Sequence, residues 1–145
     1  GQKPVTSRVA VAEAVVELSP GTLALLREKT LPKGAALACA KIAAILAAKR
    51  TDSLIPLCHT LPLASVDVRF ELSDTQLRIE TEARCAARTG VEMEAIVAVQ
   101  IAAAVIYDMC KAVQRDIVIS SVRLLYKNGG RSGEFRAPGF ERAVE

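Results

Sequence analysis

The chain has 145 residues, of which 51% are hydrophobic and 24% charged, and its formal net charge is +3 at pH 7. This balance excludes a disordered chain or a coiled coil as the main state. The small and evenly mixed charge disfavours nucleic acid as a partner, and so does an aromatic content of only 3%, because single strands are bound by base stacking. The length predicts one domain over residues 1–145. No signal peptide and no apolar run of about 20 residues is visible, so we expect a cytoplasmic protein without a membrane partner.

The first part of the chain predicts one strand and two helices. Residues 8–18 are rich in Val and Ala and favour a strand. Ser19 and Pro20 are typical of the N-cap and first position of a helix, which we expect to run to about residue 29. A second helix is predicted over about residues 36–50, and it is apolar on nearly all sides. Such a helix is expected to be buried on more than one side.

The middle of the chain predicts an apolar loop and a hairpin. Residues 51–63 contain two prolines and are expected to be irregular, yet they are apolar enough that we expect them to pack against another part of the protein. Apolar and charged residues then alternate over residues 66–72 and 77–85, which predicts two half-buried antiparallel strands joined by a turn at residues 73–75.

The last part of the chain predicts a long helix and a final strand. An Ala- and Val-rich helix is expected from about residue 91 to residue 115, and a strand over residues 117–127. Residues 128–133, which we call the glycine loop, follow, and the tail to residue 145 is expected to be loose. The order βαββαβ indicates an α+β, ferredoxin-like fold: an antiparallel sheet with helices on one face.

The cysteine spacing gives no indication of a metal site. None of the cysteines forms a Cys-x-x-Cys pair, so we predict no structural zinc and expect free, buried thiols. The four residues concerned are Cys39, Cys58, Cys85 and Cys110.

Two pairs of charged residues on the long helix are candidates for a site. Asp108 and Lys111 are three residues apart and share a face, either as an ordinary ion pair or as a functional pair that we expect to be buried. Glu92 and Glu94 begin the helix, either to complement its dipole or to bind a ligand. Glu94 and Asp108 are about 21 Å apart along a straight helix. If both serve one site, two subunits must form it together.

Three further features favour an anionic ligand or proton transfer. Lys33-Gly34 precedes a helix, where N–H groups and a cation attract phosphate. Lys127 and Arg131 accompany the glycine loop, whose backbone can approach an anion closely. His59, the only histidine, can move protons near neutral pH. Simple turns and a structural histidine are the alternatives.

Together, these segments strongly resemble one family, cyclic pyranopterin monophosphate synthase, the molybdenum cofactor biosynthesis protein C. The resemblance covers nearly the whole chain. It depends on the sequences LIPLCH at 54–59, TGVEMEA at 89–95, YDMCKAV at 107–113 and GGRSG at 129–133, with Lys33-Gly34 before the second helix.

The resemblance implies an enzyme, a phosphorus–oxygen lyase of the first stage of molybdopterin biosynthesis. Its substrate is a purine-derived triphosphate, 3',8-cyclo-7,8-dihydroguanosine 5'-triphosphate, supplied by a radical S-adenosylmethionine enzyme. The reaction rearranges this compound to cyclic pyranopterin monophosphate and releases pyrophosphate. The family also implies a homo-hexamer, a trimer of dimers, with active sites at dimer interfaces. No resident cofactor is firmly implied, although magnesium is a common companion of a triphosphate.

The motifs also imply roles for single residues. Asp108 corresponds to the family's catalytic acid/base, Lys111 lies beside it, and Lys33 matches a lysine used in catalysis or triphosphate contact. The implied substrate-binding residues are Leu57, Cys58, His59, Glu92, Met93 and Glu94, and the cations at the glycine loop add Lys127 and Arg131.

The sequence departs from the family pattern at several positions. Ala35 replaces the usual Asp after Lys-Gly, and Thr60 replaces the usual Pro after Cys-His. Asn128 and Arg131 stand where Ser and Lys are frequent. The family usually carries a segment before its first strand, which this sequence does not include. No matched catalytic residue is lost, so we expect an active enzyme.

A non-catalytic, oligomeric nucleotide-binding module on the same fold is the alternative function, because a fold alone does not fix an activity. Asp108 and Lys111 distinguish the two hypotheses, since a module that only binds a triphosphate has no use for a buried acid there.

Overall fold

A five-stranded antiparallel sheet forms the frame of the protein, here described for residues 4–145 from a computed structural model. The strands are β1 (Thr6–Glu17), β2 (Leu63–Leu72), β3 (Gln76–Ala87), β4 (Val118–Asn128) and β5 (Phe135–Arg136). The helices are α1 (Pro20–Glu28), α2 (Ala36–Lys49), α3 (Thr51–Leu54) and α4 (Glu92–Cys110). The sheet order is β2-β3-β1-β4-β5, and every pairing is antiparallel. This confirms the predicted α+β, ferredoxin-like class.

Helices α2 and α4 cover one face of the sheet, and small residues let them approach it. Ala10, Ala12, Ala14 and Val16 of the central strand β1 point to this face and are 0% exposed. By length and composition alone, helix α4 could cross a membrane. However, 56% of the apolar 18-residue stretch that meets this criterion is buried within the protein. That burial is the pattern of a core helix.

The opposite face of the sheet, which we call the outer face, is covered by the C-terminal tail. Phe140 and Ala137 are buried there against Val9, Val11 and neighbouring residues of β4. The expectation of a loose tail was therefore wrong, because its apolar residues have a sheet surface to bury.

Strand β3 is buried on both faces, so its prediction as a half-buried strand was also wrong. Glu80 and Glu82 point to the outer face and are each only 5% exposed. Arg142 of the tail donates hydrogen bonds to both carboxylates. Burial alone raises the pKa of Glu80, but the hydrogen bonds from Arg142 and Arg78 outweigh it and hold that pKa below its ordinary value. β2 keeps the predicted alternation of half-buried and exposed residues.

The start of α1 agrees with the sequence prediction, whereas the end of α4 differs from it. The Ser19 hydroxyl accepts the N–H of Thr22, with Pro20 at the first turn, as predicted. Helix α4 ends at Cys110 rather than residue 115. The side-chain oxygen of Gln114 instead accepts hydrogen bonds from the N–H of Ser19 and the hydroxyl of Thr22.

Two apolar segments are less buried in the single chain than the sequence predicts. Ile42 and Leu46 of α2 are 61% and 47% exposed, because the fully buried residues of α2 are all alanines. In the loop after α2, which contains the short helix α3, Leu57 is 93% exposed. These apolar side chains lie on the surface of the single chain.

The four cysteines are free thiols, as predicted, but only Cys85 and Cys110 are buried. Burial raises the pKa of Cys110 to about 11. Cys58 is half-buried and Cys39 is exposed, so the expectation of burial was wrong for these two.

Candidate active site

Lys33, Asp108 and Lys111 form one cluster at the C-terminal end of α4. Lys33 Nζ lies 3.4 Å from both carboxylate oxygens of Asp108. Lys111 Nζ lies 2.9 Å from Asp108 Oδ1. The turn before α2 thus brings a second cation to a carboxylate that already has a partner on its own helix. We call these three residues the acid–lysine cluster.

The acid–lysine cluster is exposed, which corrects the expectation of a buried pair. The side chains of Lys33, Asp108 and Lys111 are 44%, 56% and 53% exposed. Residues 101 and 104 are exposed as well, so this face of α4 points away from the sheet, while Ile106 and Met109 point into the core.

The electrostatics of the acid–lysine cluster favour an ionised carboxylate. Hydrogen bonds from Lys111 and Lys33 hold the pKa of Asp108 below its usual value. The Asp108 carboxylate in turn raises the pKa of Lys111. The cluster therefore carries a proton acceptor between two cations, an arrangement suited to general acid–base chemistry on an anionic substrate.

Glu94 and Cys58 meet at the opposite end of α4. The Cys58 thiol donates to Glu94 Oε2 at 3.5 Å. Glu94 is only 3% exposed, and its Oε1 has no hydrogen-bond partner among residues 4–145. Burial raises the pKa of Glu94, and burial followed by the charge of Glu94 raises that of Cys58. A buried carboxyl with a free oxygen and a raised pKa can hold and donate a proton.

Glu92 connects this end of α4 to strand β4. Its carboxylate lies 3.3 Å from Lys127 Nζ. Gly90 makes room for it, because a Cβ at this position would collide with the Glu92 carboxylate. The structure thereby brings Lys127 to Glu92, a pairing that the sequence does not predict. Met93, between the two acids, is half-buried.

His59 lines a cavity of about 520 Å³ beside the end of β3. Thr60, Ala86, Arg88 and Thr89 are among the other lining residues. The histidine is exposed, so its ring is accessible to a ligand. Leu57 extends into solvent and lies outside this lining.

Arg8 is a site residue that the sequence analysis missed. Its guanidinium, on β1, donates from Nε to Ala87 O at 3.2 Å and from Nη2 to Arg88 O at 2.9 Å. It is 8% exposed and lies directly against the glycine loop. The available signal was the one cation of β1, at the start of a strand rich in Val and Ala.

The glycines of the loop are required by this close approach. A Cβ at Gly130 would collide with the Arg8 guanidinium, and one at Gly129 with the Ser7 carbonyl. Both glycines also have positive φ, of 76° and 116°. Thr6, Arg8, Gly130 and Ser132 line a cavity of about 380 Å³, to which Arg131 also contributes. The guanidinium groups of Arg8 and Arg131 can attract an anion to this cavity.

The predicted site residues therefore fall into two groups within one chain. The acid–lysine cluster lies at one end of α4, and the second group, which we call the acid–thiol end, lies at the other. The latter comprises the predicted residues Cys58, His59, Glu92, Met93, Glu94, Lys127 and Arg131, together with Arg8, which was not predicted, while Leu57 extends into solvent next to Cys58. Another cavity, of about 570 Å³, lies on the outer face and is lined by none of these residues. Within residues 4–145, no group of three His, Cys, Asp or Glu side chains is arranged to hold a metal ion.

The fold and these two groups define a ferredoxin-like α+β protein with acid–base residues suited to an anionic substrate. The MoaC family model matches residues 1–130. A cyclic pyranopterin monophosphate synthase from Desulfovibrio desulfuricans is 64% identical over 143 residues, which cover 97% of this chain and 88% of that protein. Synthases of the same name from Nitratidesulfovibrio vulgaris and Chloroflexus aurantiacus are 58% and 52% identical, covering 94% and 95% of this chain and 86% of each relative. The chain belongs to the MoaC family.

Proposed function

We propose that this protein converts 3',8-cyclo-7,8-dihydroguanosine 5'-triphosphate to cyclic pyranopterin monophosphate and releases pyrophosphate. It is an enzyme of molybdenum cofactor biosynthesis, since relatives at 49–64% identity are named as this synthase. The structural observation that carries the catalytic function is the position of Asp108 between Lys33 and Lys111. A module that only binds a nucleotide needs the cations but not the acid between them.

The acid–lysine cluster supplies proton transfer and charge neutralisation in this proposal. Opening and reclosing a purine-derived ring system moves protons between nitrogen, carbon and oxygen atoms, which Asp108 accepts and returns. Closing the cyclic phosphate requires a hydroxyl oxygen of the substrate to attack the first phosphorus while the bond to pyrophosphate breaks. Lys33 and Lys111 stabilise the charge that develops on the phosphate oxygens during that step.

The acid–thiol end binds and orients the substrate. The free oxygen of Glu94 and the carboxylate of Glu92 can accept hydrogen bonds from the N–H groups of the guanine-derived ring. Arg8, Lys127 and Arg131 provide cations for the triphosphate, and a magnesium ion accompanying the triphosphate would neutralise more of its charge. Leu57, His59 and Met93 complete the binding residues.

Because the two groups lie at opposite ends of α4, we propose that one complete site contains the acid–lysine cluster of one subunit and the acid–thiol end of another. A homo-hexamer built as a trimer of dimers satisfies this requirement. The exposed apolar residues Ile42, Leu46 and Leu57 support association, because burying them in an interface removes apolar surface from water.

As the family resemblance implies, a radical S-adenosylmethionine enzyme makes this substrate from GTP and supplies it upstream. We place both enzymes in the cytoplasm, where GTP is available.

Incubation of the purified protein with the cyclised triphosphate tests this function. We expect stoichiometric pyrophosphate and a fluorescent pterin after oxidation of the product. Binding of the triphosphate without pyrophosphate release, by a protein that is fully folded, would instead establish the non-catalytic binding module.

A further inference from the structure

The C-terminal segment, residues 134–142, folds back along the strand that leads into the glycine loop. β5 pairs with the end of β4, with Arg136 opposite Tyr126 and Phe135 opposite Lys127. The Tyr126 hydroxyl donates to Glu134 Oε2 at 3.1 Å. A strand pairing and a side-chain hydrogen bond therefore hold together the segments that precede and follow the glycine loop.

Arg136 connects the paired strands β4 and β5 to the remainder of the C-terminal segment. Its guanidinium carbon lies 4.8 Å from the centre of the Tyr126 ring and 5.5 Å from that of Phe140. It also donates to Glu134 Oε1 at 3.2 Å and to the carbonyl oxygens of Phe140 and Arg142 at 3.4 and 2.9 Å. One side chain thus contacts the strand before the loop, the residue after the loop and the tail on the outer face.

We infer that Arg136 is a positioning residue that holds the glycine loop, and with it Arg131, in the conformation that binds the phosphates of the substrate. The inference rests on the proposed function, in which Arg131 and Arg8 meet the triphosphate. Arg136 itself lies outside the lining of the cavity that Arg8 and Arg131 share, so its effect on the substrate passes through the loop.

The physical reason is the conformational freedom of the loop. Its glycines must adopt positive φ close to the Arg8 guanidinium, and they lose more backbone entropy on ordering than other residues. Within the loop, the backbone bond from Gly133 N to Gly130 O is long, at 3.3 Å. Anchoring at residues 134–136 therefore restricts the loop at the end that follows Gly133. A binding loop that is ordered only part of the time lowers the apparent affinity by the fraction in which it is competent.

Steady-state kinetics and hydrogen exchange of Arg136→Leu test the inference, with Arg142→Leu as the matched control. Arg142 belongs to the same segment and has a comparable burial, but its side chain binds Glu80 and Glu82 on the outer face. For Arg136→Leu we expect KM to rise about tenfold with kcat changed by less than about twofold, as for a loop that is competent a tenth of the time. Amide exchange should accelerate at residues 129–133. Arg142→Leu should lower the melting temperature but leave KM and that exchange unchanged.

Two further variants keep the inference testable if Arg136→Leu does not fold. Tyr126→Phe removes only the hydroxyl bound to Glu134 and should raise KM in the same direction by a smaller factor. Arg136→Lys keeps the charge over the two rings and should recover part of the affinity. An unchanged KM in folded Arg136→Leu, or an equal rise in Arg142→Leu, would overturn the inference.

Arg131→Ala separates this inference from the proposed function. If Arg131→Ala raises KM but the Arg136 and Tyr126 variants do not, the loop binds phosphate and only the positioning role fails. If Arg131→Ala leaves KM unchanged in an active enzyme, the proposed phosphate contact fails, and with it the inference.

Discussion

Lys33 lies against Asp108 across 75 positions of sequence, with its Nζ equidistant, at 3.4 Å, from the two carboxylate oxygens. Lys111 binds one of the same oxygens at 2.9 Å. Both lysines and the carboxylate are at least 44% exposed. A salt bridge at such exposure contributes little to stability, so its removal should affect chemistry far more than folding.

Replacing Asp108 by Asn should therefore remove most of the activity and leave the fold intact. A general acid–base residue typically contributes about 10²–10⁴-fold to the rate, and Asn keeps the shape without the titrating group. The measurement is single-turnover pyrophosphate release, with circular dichroism as the folding control. Asp116→Asn, which changes another exposed acid close to the end of α4, should turn over normally. Turnover of Asp108→Asn within about threefold of wild type, far below the expected loss, would make Asp108 a structural ion-pair partner.

Removing either lysine should shift the pH dependence of the reaction. Lys111 and Lys33 both lower the pKa of Asp108, so Lys111→Met or Lys33→Ala should raise that pKa. If Asp108 acts as a base, the acidic limb of the kcat/KM profile moves to higher pH in both variants. Lys33→Ala should also lose most of its turnover while remaining folded. Lys41→Ala, an exposed cation on α2, is the matched control, and an identical acidic limb in all variants would contradict a base at Asp108.

Local patterns predicted the elements, and long-range contacts account for what they missed. The Ser19 cap, the hairpin and the α+β class follow from turn chemistry and periodicity over a few residues. The burial of Glu80 does not, because its partner Arg142 is 62 residues away on a tail with no periodic pattern. The sequence also placed Asp108 in a buried helix, since a helix that is apolar on nearly all sides gives no signal of which face points away from the core.

The same distinction applies to the candidate site. The motifs singled out Glu94, Cys58, Lys33 and Asp108, but not that Cys58 binds Glu94 or that Lys33 binds Asp108. Arg8 was missed because a single cation on a strand has no local signature, and its role follows only from the glycine loop that packs against it.

Ala35→Asp should stabilise the protein without loss of activity. Ala35 is the N-cap of α2 and makes no side-chain hydrogen bond, and the first turn of α2 contains no acid. An Asp here can accept an N–H of the first turn, and a good N-cap contributes about 0.5–2 kcal/mol relative to Ala. Denaturant titration should show a higher midpoint with an unchanged slope. Ala35→Ser should give a similar gain in stability. An unchanged midpoint in both variants would show that the N–H groups of the first turn of α2 gain nothing from a side-chain acceptor at residue 35.

Glu94→Gln should change how stability depends on pH. Burial raises the pKa of Glu94, so the folded protein binds this proton more tightly than the unfolded chain. The free energy of unfolding therefore decreases as pH rises from the ordinary carboxyl pKa, about 4.3, through the raised folded value. We expect Glu94→Gln to match wild type at acidic pH and to be more stable at pH 8, by on the order of 1 kcal/mol for a buried unpaired polar group. Chemical denaturation from acidic pH to pH 8 measures the difference in the free energy of unfolding between Glu94→Gln and wild type. A difference that grows as the pH falls would contradict a raised pKa of Glu94.

Mixing two inactive variants should restore activity if each site is shared between subunits. Asp108→Asn damages the acid–lysine cluster, and Glu94→Gln damages the acid–thiol end of the same helix. In a symmetric dimer whose two sites each combine these ends from different subunits, random mixing gives about a quarter of the sites with both ends intact. Co-expression at equal levels should therefore recover about a quarter of the wild-type rate, while co-expression of either variant with itself recovers none. Light scattering on the same samples should give the mass of a hexamer. A complete absence of recovery in oligomers shown to contain both variants would mean that each chain forms its site alone.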